Sequence, residues 1–137
     1  MSTESMVTVT DADSGKAITA WIRSMGEDLV VAVGGGERPH VGCVVLAVPI
    51  PSRTAPHTWS ASCSVMTIPP HKEEPIARGV ASQLAAACGR VTVVTAGVHD
   101  DNLDRSGVET YLRLGEELAR EVARRMAAAT DPEKAPE

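Results

Sequence analysis

Over the first half of the chain apolar residues recur at every second position. From residue 73 the spacing lengthens to three and four, and it shortens again once, between residues 91 and 98. Met6 to Thr10 carries a short alternating pattern. In "KAITAWIRS" (16–24), Ile18, Ala20 and Ile22 fall on one side and Thr19, Trp21 and Arg23 on the other, which predicts a strand with one dry face. "SMGED" supplies a turn at Gly26, and "LVVAV" (Leu29 to Val33) is a continuous β-branched run, so a hairpin is the simplest connection between the two. Beyond the joint "GGGERPHVG" (34–42), Val41 to Val48 reads as a fourth strand that ends at Pro49 and Pro51. "SASCSVMT" (Ser60 to Thr67) alternates small polar residues with Ala61, Cys63 and Val65 and reads as a fifth.

In "EEPIARGVASQLAAACG" (73–89), Ile76, Val80, Leu84 and Cys88 recur at helical spacing. Acidic residues open the segment, Pro75 suits a first turn, and Gly89 offers a stop, which predicts a helix of about four turns. "VTVVTAGV" (Val91 to Val98) has the composition of a buried strand. The last element opens with a capping box, Ser106-Gly107-Val108-Glu109. It continues with an apolar stripe of Val108, Leu112, Leu118, Val122 and Met126 and ends among Arg120, Arg124 and Arg125, which complement the helix dipole. Five strands, a helix, a strand and a closing helix predict an α+β domain: a mainly antiparallel β-sheet of five to six strands with two helices packed on it. The domain is expected to span residues 1–129, with 130–137 a polar, Pro-containing, disordered tail. Such a sheet leaves one face open, and a homodimer is the expected way to cover it.

Composition narrows the function classes. With 137 residues and 43% hydrophobic content one core is affordable without disulfides, but two Trp, one Tyr and no Phe mean that Val, Ala, Leu and Ile must fill it. A net charge of −5 and few aromatic platforms argue against nucleic acid as a partner. No run approaches the ~20 apolar residues of a membrane span, and "MSTESMVTVT" lacks the regions of a secretory signal, so the chain reads as cytoplasmic. Cys43, Cys63 and Cys88 are odd in number and set among apolar neighbours, as reduced core thiols are.

The candidate chemistry gathers at element ends. His40 follows the glycine joint, His71 lies in "PPHKEEP", and His99 ends a strand in "TAGVHDD"; His57, in a Pro-rich loop, reads as surface. Gly34, Gly35 and Gly36 with Arg38 and His40 can be read two ways. They form either an anion cradle of closely approaching amides, or a permissive corner or bulge, since the run matches neither nucleotide-binding glycine pattern. His71 and Lys72 make a positive pair before a helix N-terminus, or a solvated cap region. His99, beside Asp100 and Asp101, is either a carboxylate-oriented imidazole or an ordinary turn residue. Three imidazoles, His40, His71 and His99, would also suit a first-row metal if the fold brought them together.

The ordered trio "GEDLVVAVGGGERPHVGCVVLA", "HKEEPIARGVASQL" and "VTVVTAGVHDDNL" resembles the small LpdD-like prenylated-flavin chaperone family, over about Gly15 to Val122. The resemblance implies a non-catalytic protein that binds prenylated FMN, or FMN itself. It also implies that the flavin is delivered to, or protected for, a decarboxylase of the UbiD type, with the flavin prenyltransferase a further candidate partner. Carried over by motif, the cofactor-binding positions are Gly35, Pro39, His40 and Gly42, then His71 and Lys72, then Gly97 and His99. The chain departs from an ideal flavin site in its shortage of aromatic residues, so ring contacts would be aliphatic or come from Trp21 or Trp59. A metal-dependent enzyme and a protein-only assembly factor are the alternatives.

Overall fold

A computed structural model describes residues 4–70, 73–130 and 135–136. Its elements are β1 (Glu4–Thr10), β2 (Ala17–Met25), β3 (Asp28–Gly36), β4 (Cys43–Pro51), β5 (Trp59–Thr67), α1 (Glu74–Cys88), β6 (Thr92–His99) and α2 (Arg105–Ala128). The predicted succession of five strands, helix, strand and helix is the one found. In space the strands run β1-β2-β3-β6-β4-β5, and every pairing is antiparallel except β3 with β6. The fold is thus α+β, a mostly antiparallel sheet with two helices.

Period-two alternation sorts each strand's side chains between the helices and the opposite face. Ile18, Ala20 and Ile22 of β2, Leu29, Val31 and Val33 of β3, Val45 and Ala47 of β4 and Val94 and Ala96 of β6 are buried under the helices. Small residues on α1, Ala77, Ala81 and Ala85, are fully buried there and keep the helix close to the sheet. Cys43 and Cys88 are buried free thiols, and burial pushes both up from the usual thiol range. α1 ends as its sequence predicts: Gly89 takes a left-handed conformation (φ 64°) and its amide donates to the Ala85 carbonyl.

Three local expectations are corrected. β4 does not end before its prolines but runs through Pro49 and Pro51. Its pairing with β6 stops at Ala47, so beyond that point no β6 ladder bond is lost to a missing amide hydrogen. α2 begins before the proposed capping box: Asp104 is the N-cap, accepting from the Gly107 amide at 2.8 Å. The core stripe of α2 keeps the expected Leu118 and Val122 but continues through Leu114 and Tyr111, whereas Val108 and Leu112 are exposed.

The face away from the helices carries Met6, Trp21, Val30, Leu46, Val48, Ile50 and Met66, all exposed. Of the tail, residues 131–134 and 137 lie outside the described residues.

Candidate functional site

Because β6 is inserted between β3 and β4, residues 37–42 must cross over the end of β6 to join its two neighbours. Two strand spacings make that crossing about 10 Å. The crossing segment lies flat on β6, with Arg38 N donating to His99 O (3.1 Å), His40 N to Gly97 O (3.4 Å) and Gly42 N to Ala96 O (2.9 Å). Gly34 and Gly97 pair across β3 and β6 and sit beneath it. A Cβ at Gly34 would be 2.9 Å from the Pro39 Cβ, and one at Gly97 would fall onto the His40 carbonyl. Gly35 is closed in by Ile18. All three glycines therefore have a packing role: Gly34 and Gly97 make room for the Pro39-His40 strap, and Gly35 lets β3 lie close to β2.

Gly36, at φ 75°, turns the chain so that the next amide, Glu37 N, points at the end of β6. There Asp100 Oδ1 accepts from it at 2.9 Å. Asp100 Oδ2 accepts from Tyr111 Oη at 2.5 Å and from Lys16 Nζ at 3.4 Å. The joint is thus a corner, and one of its amides, Glu37 N, is turned onto the protein's own carboxylate. Burial pushes the Asp100 carboxyl up, but the Tyr111 hydroxyl, the Glu37 amide and Lys16 outweigh it and leave it below the usual range. Burial and the same carboxylate push the Tyr111 phenol above its usual range.

His40 faces inward over the strap. Its Nδ1 is 3.0 Å from the Arg38 carbonyl and its Nε2 3.1 Å from Glu73 Oε1, so both ring nitrogens face acceptors. Glu73 is a buried carboxylate just before α1, and it also accepts from Val98 N, where β4 has left β6. Neither composition nor spacing marked Glu73. In "HKEE" the cations are the local feature, and only the insertion of β6 gives this carboxylate a strand amide to serve. His99 stands edge-on to His40 with ring centroids 6.4 Å apart. On the rim Arg38 Nη2 donates to Asp101 Oδ1 at 2.5 Å and lies 2.8 Å from His99 Nε2. Hydrogen bonding to His99 and the charge of Arg38 hold the Asp101 carboxyl below the usual range.

The fold therefore gathers Gly36, Arg38, His40, Gly97 and His99 at one end of the sheet. His71 and Lys72 lie outside the described residues. Among the described residues no group of three metal-ligating side chains occurs. His57 is exposed in its loop, and Trp59 covers Gly89 at the other end of the sheet, away from this cluster. Beside the cluster opens a groove of about 560 Å³ between the end of β6 and the starts of both helices. Glu73, His99, Asp100 and Tyr111 form its polar side and Val98, Leu103, Val108 and Leu112 its apolar wall.

Residues 12–127 match the family described as the prenylated flavin chaperone LpdD-like domain. The chain belongs to that family. Membership bears out the resemblance read from the three motifs, and the match extends past both ends of the stretch they delimit. Among curated proteins, Protein LpdD of Lactiplantibacillus plantarum (strain ATCC BAA-793 / NCIMB 8826 / WCFS1) is 24% identical over 117 residues, covering 85% of this chain and 82% of that protein. Among solved structures, a chain from the crystal structure of a novel chaperone complex for yeast 20S proteasome assembly superposes with a TM-score of 0.52. It is 12% identical and the alignment covers 91% of this chain and 99% of that one, a likeness of fold. Among the described residues no helix is long and apolar enough to cross a membrane.

Proposed function

We propose that this protein binds prenylated FMN without transforming it and passes it to, or protects it for, a UbiD-type decarboxylase. The observation that carries the reading is geometric. The histidine of the strap, the histidine ending β6 and the carboxylate before α1 meet at the mouth of an apolar groove, in a chain of the prenylated flavin chaperone family. Contacts are assigned to Arg38, His40 and His99, and by motif to His71 and Lys72, while Gly36, Pro39 and Gly42 shape the strap. An open groove also suits a carrier, because each added ~1.4 kcal/mol of affinity slows release about tenfold at constant association rate.

In an anaerobic spectral titration, prenylated FMN is expected to bind the wild type, and His40→Ala is expected to bind about tenfold more weakly. Absence of any spectral change at up to about 50 µM ligand, an affinity weaker than about 6 kcal/mol, ends the reading.

The cover for the sheet's open face is proposed to be a second copy of the chain. Six strands about 4.8 Å apart and about 25 Å long offer roughly 700 Å², near the ~800 Å² per partner of a standard interface. Sedimentation is expected to give a dimer for the wild type and a monomer for Leu46→Glu, which places a charge on that face. A monomeric wild type at about 50 µM, weaker than about 6 kcal/mol, rules this out.

A further inference from the structure

The groove has an unusual wall. Val108 and Leu112 are 41% and 36% exposed on a stretch of α2 whose other outward residues, Arg105, Ser106, Glu109 and Arg113, are polar or charged. They are off the core stripe, yet they are apolar. With Leu103 they make a continuous aliphatic border that opens to water beside Val98 and Ile76. An exposed apolar border of this kind signals contact with something apolar. Its volume of about 560 Å³ falls within the ~300–1,000 Å³ of small-molecule sites.

The polar side of the groove restricts how a flavin can enter. Its carboxylates, Glu73 and Asp100, repel a dianionic phosphate, and Lys16 and Arg38 nearby are already engaged by Asp100 and Asp101. Stacking is also poorly served: apart from His99, Tyr111 is the aromatic residue among those lining the groove, and its hydroxyl is committed to Asp100. What the site complements is saturated carbon. A prenylated flavin differs from FMN by five carbons of that kind, so its prenyl-bearing edge has more to bury against Leu103, Val108 and Leu112 than the planar, polar-edged parent ring has.

We infer that this groove takes the prenyl-bearing edge of the flavin, phosphate outward, and that Leu103, Val108 and Leu112 set the preference for prenylated over unmodified flavin. The inference rests on the flavin-binding reading above and assigns it a specificity wall. The groove is shallow and open, as a site that surrenders its cargo must be.

The test compares prenylated FMN and FMN on wild type, on the double variant Val108→Thr/Leu112→Gln, and on Arg120→Gln as an exposed α2 control away from the groove. Both groove positions are exposed and off the core stripe, so an unchanged melting temperature is expected and checked first. The wild type is expected to prefer prenylated FMN by tenfold or more. The double variant is expected to lose most of that preference while its FMN affinity stays within about twofold, and the control should match wild type. Equal binding of the two flavins by wild type overturns the inference and leaves flavin binding intact. So does a preference that survives in the double variant. Binding of neither flavin by wild type removes the underlying reading, and the inference with it.

Discussion

Gly97→Ala is expected to lower the melting temperature by about 10 °C or more, the largest effect of any single methyl addition outside the helices. The added Cβ would fall onto the carbonyl carbon and oxygen of His40 and lie 2.9 Å from its imidazole Cγ. Two of these three obstacles are backbone, and that backbone is tied down on both sides by the Arg38, His40 and Gly42 amides. Relief requires lifting the strap off β6, which breaks those hydrogen bonds and separates His40 from Glu73. Overpacking a closed site costs about 1–3 kcal/mol, and lost buried hydrogen bonds add to it, giving about 3–4 kcal/mol. At this chain length each kcal/mol shifts the midpoint by about 3–5 °C. Gly79→Ala is the matched control. Gly79 sits in α1 with nothing within 4 Å of a built Cβ, so the same substitution there is expected to add about 0.5–1 kcal/mol. A Gly97→Ala protein that melts within about 2 °C of wild type would show that the strap is free to move.

The same contact explains what was legible in the sequence and what was not. Alternation and helical spacing are local, so Ile18, Ala20 and Ile22, or Val80 and Leu84, announce their buried face without knowledge of any partner. The joint "GGGERPHVG" shows a permissive backbone in its own residues, but nothing local separates a corner from a cradle. The deciding neighbours are Gly97 and Asp100, some sixty residues away, and they arrive only because β6 inserts between β3 and β4. Glu73 went unmarked for the same cause, since its partners, His40 and Val98, come from two other elements. The start of α2 shows a different limit. Asp104 and Ser106 are both competent caps, and the expected stripe joins Val108 and Leu112 to Leu118 across a spacing of six, which one helix face does not keep; the buried face reaches Leu118 through Tyr111 and Leu114 instead.

Asp100→Asn is expected to lower stability by about 2 kcal/mol at pH 6, and the gap from wild type should shrink as the pH falls below 3.8. The carboxylate accepts from the Glu37 amide, the Tyr111 hydroxyl and the Lys16 ammonium, and thereby joins the strap, α2 and the β1–β2 turn. An amide keeps the shape but loses the charge that strengthens all three bonds, and it turns a donor toward at least one of these donors. The side chain is only 13% exposed, so water replaces these partners poorly. The sign follows from the direction of the shift. Tyr111, Glu37 and Lys16 outweigh the burial that raises it and hold the folded carboxyl below its ordinary value of 3.8. Its contribution is therefore complete above that value and is lost as the pH falls through the lower folded one. Asp11 and Glu121, each lowered to about 2 by hydrogen bonds from Ser14 and Arg113 and from Arg124 and Arg125, destabilise both proteins alike over the same range. The difference between the two melting curves isolates Asp100. A gap that stays constant from pH 6 to pH 2 would mean that its charge takes no part, and that the glycine-turned amide is held by shape alone.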